Sequence, residues 1–222
     1  MPRMRYLIAA ALALGLGVAC SEIVSPARTN VYEWRLFVPY DSAGPRLDSL
    51  TFHWPRSSLP VRYWVEDSLE APAHVRAAIQ SWKNAFLYDE FDGVVVSDSM
   101  TADVIVRVQQ PPLIPVLSGI RLHSLLPECE GATDVDTVTT RFEFRLPVRI
   151  YLNPRFLTAA LQTCLEVTAT HEVGHSLGLF DHTLDTLDIM YSNPRAMHLS
   201  DRDIETIEAV YHLKSDMVPV RP

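Results

Sequence analysis

The segment from residue 171 to residue 182, HEVGHSLGLFDH, constrains the fold of this chain more than any other part of it. His171 and His175 are four residues apart, so on a helix they lie one turn apart on one face, where both imidazoles can bind one zinc ion. Glu172 sits beside the first histidine, in the position from which a carboxylate reaches a zinc-bound water as a general base. Gly178 is the residue type that ends helices. The segment therefore predicts a metal-binding helix that begins after residue 154 and ends before this glycine.

Apolar patterning elsewhere predicts strands, two further helices and one long loop. Alternating or β-branched runs predict a short strand at Val31–Val38 and further strands at Val61–Glu66, Val94–Val96, Ala102–Val108 and Phe142–Leu152. One helix opens at Pro72 and buries a stripe from Val75 to Phe86, and a final helix runs from Ser200 to about Leu213. Residues 109–140 hold four prolines and two glycines, so we expect an extended loop over the surface.

The pattern from His171 to His182 resembles the metzincin zinc peptidases, and among them the matrixins most closely. In that family the ligand helix ends at the glycine, and a third ligand follows ten residues after the first histidine. Asp181 occupies that position, with His182 next to it, whereas matrixins usually have histidine there. Snapalysin, a small bacterial metzincin, is similar in having aspartate followed by histidine. Carboxylate oxygen and imidazole nitrogen both bind zinc at about 2.0–2.2 Å. Asp181 is the preferred ligand, because it keeps the family's spacing without a one-residue insertion, and His182 is the alternative.

A second family feature follows the histidines. Asp188–Tyr191 is similar to the Met-turn of metzincins, so the resemblance implies that Met190 forms an apolar floor beneath the zinc site. The resemblance covers roughly residues 50–213. It implies an α+β domain with a twisted mixed sheet, an active-site helix and a C-terminal helix. In such a domain the loop Ser192–His198 shapes the pocket for the residue after the scissile bond.

The same resemblance implies a function. We expect a zinc-dependent endopeptidase that cleaves proteins or peptides, with Glu172 activating the zinc-bound water and then protonating the leaving amine. The alternative is a non-catalytic metzincin-like lipoprotein that binds a peptide or a surface partner. The intact Glu172 argues against this alternative, because a domain that only binds needs no base.

The N-terminus is predicted to be an export signal. Arg3 and Arg5 precede an uncharged apolar run, Leu7–Val18, which is shorter than the roughly 20 residues that a bilayer-spanning helix needs. Cys20 follows small residues, as in the lipobox of bacterial lipoproteins, although glycine stands where a lipobox usually has leucine. We therefore expect an extracytoplasmic protein, either anchored by a lipid on Cys20 or secreted. The predicted segments are a signal peptide at 1–19, a tether with an approach strand at 20–49, a catalytic domain at 50–213 and a tail at 214–222.

The net charge of the chain limits the classes of partner that it can bind. The chain has 27 acidic and 19 basic residues and a formal net charge of -8, which would repel a phosphate backbone and excludes nucleic acid as a partner.

Cys129 and Cys164, the two cysteines beyond the export signal, are predicted to form a disulfide. We expect a monomer. Four acidic residues in the long loop offer oxygen ligands for calcium, although a solvated acidic loop is the preferred interpretation: Glu128, Glu130, Asp134 and Asp136.

Overall fold

The fold is built on a seven-stranded mixed β-sheet with helices packed against it. The computed structural model describes residues 30–39, 47–115 and 119–221, so the predicted signal peptide and Cys20 lie outside the described residues. The strands are β1 (Leu36–Pro39), β2 (Leu47–Leu50), β3 (Val61–Val65), β4 (Gly93–Val96), β5 (Val104–Arg107), β6 (Gly119–Leu125), β7 (Cys129–Val138), β8 (Glu143–Pro154) and β9 (Val218–Val220). The α-helices are α1 (Ala71–Lys83), α2 (Leu161–Ser176) and α3 (Asp201–His212).

Parallel and antiparallel strands meet in the main sheet, whose order is β4-β3-β5-β8-β7-β6. The four strands β4, β3, β5 and β8 are parallel, as is β9 against the start of β8. Strand β7 runs antiparallel to both β8 and β6. Strands β1 and β2 form a separate antiparallel pair. The sheet confirms the predicted α+β class, and β3, β4, β5 and β8 lie where the apolar runs predicted strands.

The prediction of a surface loop at 109–140 is wrong for most of that segment, because β6 and β7 form a hairpin there. Polar residues of β7 are buried, among them Thr133 and Asp134. The guanidinium of Arg121 on β6 donates to both carboxylate oxygens of Asp134, at 2.6 and 2.7 Å. A polar sequence becomes a buried strand here because its polar groups find partners within the fold.

The helices follow the predicted apolar spacing closely. Helix α1 buries Val75, Ala78, Ile79 and Trp82, and the Trp82 indole nitrogen donates to the Thr170 carbonyl oxygen of α2 at 2.8 Å. Helix α2 begins at Leu161, six residues later than residue 155, because residues 155–160 after β8 are not helical. Helix α3 begins after Ser200 as predicted, and a capping box joins Ser200 to Asp203. No helix in the described ranges is long and apolar enough to cross a bilayer.

Both ends of the described chain pack on the domain rather than leaving it as a tether and a tail. Tyr32 and Trp34, within the predicted tether, are each 7% exposed. The Tyr32 hydroxyl donates to Asp203 Oδ1 at 2.9 Å, and the Phe180 amide donates to the Trp34 carbonyl. At the other end, β9 pairs with β8. The described residues from Val31 onward therefore belong to one compact unit, wider than the predicted 50–213.

Cys129 and Cys164 form a disulfide in the structure, with Cα atoms 6.0 Å apart. Cys129 is the first residue of β7, and Cys164 lies in the first turn of α2. The bond therefore ties the hairpin to the helix that carries the histidines.

Replacing both cysteines by alanine is expected to lower the free energy of unfolding by about 4 kcal/mol, because the bond closes a loop between residues 35 apart in sequence. Denaturant unfolding with and without a phosphine reductant measures this effect. Reduced wild type should behave like the double variant, whose own midpoint should not respond to reductant. Equal midpoints for oxidised wild type and the double variant would contradict the prediction.

Candidate metal centre and active site

Helix α2 and the turn after it bring three imidazoles together. His171 and His175 lie on one face of the helix, and His182 returns towards them. Nε2 of His182 lies 3.2 Å from Nε2 of each of the other two, and the potential ligand atoms of all three lie within 4.8 Å of one another. Among the described residues, no other group of three or more histidine, cysteine or carboxylate side chains converges in this way.

Backbone carbonyl groups orient the two helical histidines. Nδ1 of His171 donates to the Ile189 carbonyl oxygen at 2.7 Å, and Nδ1 of His175 donates to the Leu179 carbonyl oxygen. Because a carbonyl oxygen only accepts, both Nδ1 atoms carry a proton, and both Nε2 atoms keep a lone pair. Metal-ligating histidines are commonly oriented by this kind of bond through the other ring nitrogen.

Burial keeps these imidazoles neutral. Desolvation is the largest influence in each case: it lowers the pKa of His171 to about 3 and that of His175 well below its usual value. It also lowers the pKa of His182, which is partly buried. Neutral imidazole is the form that binds a metal ion.

The three Nε2 atoms fit a zinc ion. Two nitrogens that each lie about 2.05 Å from zinc at the tetrahedral angle are about 3.3 Å apart, close to the 3.2 Å between Nε2 of His182 and each of the other two. His182 can carry only one proton on Nε2. It can therefore donate to the Nε2 lone pair of His171 or to that of His175, but not to both. A cation between the three nitrogens satisfies all of them.

The side chain that completes this group is His182 rather than the preferred Asp181. Asp181 Oδ1 accepts from the backbone amide of His182 at 2.8 Å, so this carboxylate turns back on the chain. The carboxylate is not part of the converging group. The geometry therefore favours the alternative third ligand, His182, and leaves Asp181 the role of orienting the residue after it.

Gly178 makes the return of the chain possible. Its φ is +110°, a left-handed conformation that L side chains rarely adopt. A Cβ at this position would also collide with the Phe52 carbonyl oxygen. Glycine is thus required here both for the turn and for the close approach of a neighbouring strand end.

Met190 lies beneath the helix that carries the ligands. Its side chain is fully buried, and a Cβ on Gly174 would lie 2.6 Å from its Sδ atom. The residue before it, Ile189, donates its amide to Asp203 Oδ2 at 2.8 Å. Asp203 thus anchors this turn as well as capping α3, and sequence analysis missed the contact with Ile189 because it spans 14 residues.

Glu172 points from α2 towards strands β6 and β7 and has no exposed surface. Ser124 Oγ donates to its Oε1 at 2.6 Å, and Thr133 Oγ1 donates to its Oε2 at 2.7 Å. Burial raises the pKa of this carboxyl to about 8, against the lowering effect of the two hydroxyl bonds. A bound cation nearby would oppose the rise. The two hydroxyl groups thus provide each oxygen of this buried carboxyl with a hydrogen-bond donor.

Sequence reasoning missed Ser124 and Thr133 as partners of Glu172. They lie 48 and 39 residues before it, on strands that were predicted to be loop. Polar residues at buried strand positions carry no local pattern that distinguishes them from surface residues. Two of the four acidic residues that were considered for calcium have partners within the fold: Asp134 accepts from Arg121, and Glu130 accepts from Asn153.

A pocket of about 470 Å³ is formed by the segment of chain that follows His182. Tyr191 in its wall forms an isolated β-bridge with Thr183, the residue after His182. Part of its wall comes from the loop Ser192–His198 that was expected to shape a substrate pocket. The lining residues are Thr186, Leu187, Tyr191, Asn193, Arg195 and Ala196.

The mixed sheet, the histidine-bearing helix and the buried methionine beneath it define an α+β fold of the metzincin type of zinc peptidase. The family model that describes the matrixins matches residues 67–212, so the chain belongs to the matrixin family. The match spans α1, the histidine group and α3. No curated protein matches the chain. The family consists of zinc-binding metallopeptidases that act on proteins or peptides, and the three-histidine group is where a metal fits in this chain.

Proposed function

We propose that this matrixin is an active zinc endopeptidase in which His171, His175 and His182 hold the metal and Glu172 is the general base. The observation that carries the proposal is the convergence of three neutral imidazole nitrogens one residue from a buried carboxylate. Zinc in such a site lowers the pKa of a water molecule and polarises a carbonyl group. Three protein ligands leave a fourth position open, as catalytic zinc sites require.

The side chains divide the chemistry between them. The imidazoles bind and orient the metal, and their Nδ1 bonds to the Ile189 and Leu179 carbonyl groups keep the Nε2 lone pairs directed inward. Glu172 takes a proton from water on a carboxylate oxygen and delivers it to the nitrogen of the leaving amine. Met190 supports the ligand helix from below by filling the space against Gly174. The pocket formed by the segment after His182 accepts a substrate side chain.

We also propose that the enzyme works outside the cytoplasm, anchored through Cys20 or secreted. The basic and apolar N-terminal segment supports this proposal. The Cys129–Cys164 disulfide supports it independently, because disulfides persist in oxidising compartments. Intact-mass measurement of the mature N-terminus tests the anchor: a diacylated Cys20 is expected for a lipoprotein, and an unmodified Cys20 contradicts the anchored form.

Metal removal tests the catalytic proposal. The purified protein is expected to contain one equivalent of zinc and to hydrolyse a casein-type substrate. A chelator should abolish this hydrolysis, and added zinc should restore it. Hydrolysis that continues after zinc has been removed, verified by elemental analysis, would contradict the proposal. Peptide binding without turnover by the zinc-loaded protein would instead favour the non-catalytic alternative.

A further inference from the structure

The carboxylate of Glu172 is held from two directions by the β6–β7 hairpin. Ser124 on β6 reaches Oε1, and Thr133 on β7 reaches Oε2. All three side chains are fully buried. Each carboxylate oxygen therefore accepts one hydrogen bond from a hydroxyl group and keeps a second lone pair for another donor.

The choice of hydroxyl partners matters chemically. A buried carboxylate needs hydrogen-bond donors, because an unsatisfied buried charge is strongly destabilising. Ser124 and Thr133 supply one such donor to each carboxylate oxygen, so the two bonds together fix the orientation of the carboxylate plane.

The hairpin backbone is shaped around this contact. Gly131 lies opposite Ser124 in the register of β6 and β7. A Cβ at Gly131 would collide with both Glu172 Oε1 and Ser124 Oγ. The missing side chain at this position is thus the space into which the carboxylate fits. This observation is independent of the hydroxyl bonds and leads to the same conclusion.

The hairpin is also rigidly attached on both sides of the contact. Arg121 and Asp134 join β6 to β7 by two hydrogen bonds, and the Leu125 amide donates to the Ser192 carbonyl oxygen at 3.2 Å. The Cys129–Cys164 disulfide ties β7 to α2. Functional side chains need such support, because their geometry must be kept within about 0.5 Å.

We propose that Ser124 and Thr133 are positioning residues that fix the carboxylate of Glu172 in the orientation needed for proton transfer. This inference rests on the proposed function. It assigns to the hairpin a catalytic purpose beyond completing the sheet. Because both residues are fully buried and act through Glu172, their removal should change kcat and leave KM unchanged.

Thr133→Val tests the inference most sharply, because it replaces the hydroxyl by a methyl group of similar size. We expect kcat on a fluorogenic peptide to fall by about tenfold, with KM and zinc content unchanged. Thr133→Ser, which keeps the hydroxyl, should restore kcat to near the wild-type value. Thr137→Val is the matched control, since Thr137 is also buried on β7 and has no contact with Glu172 among those described. Its kcat should equal that of wild type.

Ser124→Ala provides the second arm. The double variant should lose at least about tenfold in kcat, and the two losses need not multiply, because both hydroxyl groups bind the same carboxylate. Wild-type kcat in both single variants would overturn the inference. Equal losses in Thr133→Val and Thr133→Ser, or losses that follow zinc content, would also overturn it, because they would indicate packing. Glu172→Gln separates failure of the positioning role from failure of the proposed function. If Glu172→Gln is inactive while the hydroxyl variants are fully active, only the positioning role fails. If it is fully active, the proposed function itself fails.

Discussion

Glu172→Gln is expected to lower kcat for peptide hydrolysis by about a thousandfold while zinc remains bound. General-base catalysis contributes about 10²–10⁴-fold to rates, and the amide of glutamine cannot accept the proton. Glutamine has nearly the shape of glutamate and still offers an oxygen to Ser124 or Thr133, so the buried slot stays filled. The loss should therefore fall on turnover rather than on folding or metal content.

The measurement compares kcat, KM, zinc content and melting temperature between wild type and Glu172→Gln. Glu166→Gln is the matched control: it makes the same change on the same helix, at a partly exposed position. It should retain wild-type kcat. Equal activity in Glu172→Gln and wild type would assign the base to another group. A large loss accompanied by loss of zinc would instead mean that Glu172 supports the metal site.

Much of the fold was predictable because its central elements carry strong local patterns. The β-branched runs of β3 and β5 and the stripe of α1 bury the faces that the sequence indicated. Strand β4 forms where it was predicted but lies at the edge of the sheet and has no buried residue. The cap of α3 depends on Ser200 and Asp203, which are three residues apart. Local spacing was sufficient for the helical histidines too, since helix geometry alone places residues four apart on one face.

The β6–β7 hairpin was not predictable from local pattern. Its buried polar residues are satisfied by partners distant in sequence: Arg121 on the other strand of the hairpin binds Asp134, and Glu172 on α2 binds Thr133. The packing of Tyr32 and Trp34 was missed for a related reason. Proline and glycine nearby suggested a tether, whereas these aromatic side chains bury apolar surface against α3 and the turn after α2.

Within the site, the third zinc ligand is the residue that local sequence did not predict. Asp181 and His182 are adjacent, and both have chemistry that zinc accepts. Which of them faces the helix depends on how the chain leaves Gly178, and that path is set by Phe52 and Trp34, more than 120 residues earlier. Motif spacing alone therefore favoured Asp181, and the tertiary path favours His182.

His182→Ala is expected to weaken zinc binding by about 10²–10³-fold. Protein zinc sites with four ligands contribute about 10–16 kcal/mol, so one ligand is worth about 3–4 kcal/mol, and each 1.4 kcal/mol is tenfold in affinity. Asp181→Asn should weaken it by less than about tenfold, because asparagine keeps an oxygen that can accept from the His182 amide. Competition with a chromophoric chelator at fixed pH measures both affinities.

The comparison is informative because the two substitutions are adjacent and affect the same turn. Circular dichroism of the zinc-free proteins should show the same fold in both variants, so that a difference in affinity reports ligation rather than unfolding. Hydrolysis should follow zinc occupancy, and excess zinc should restore more activity to Asp181→Asn than to His182→Ala. A larger loss of affinity in Asp181→Asn than in His182→Ala would make Asp181 the ligand. It would then require the turn after Gly178 to rearrange when the metal binds, because the Asp181 carboxylate is directed at the His182 amide in this structure.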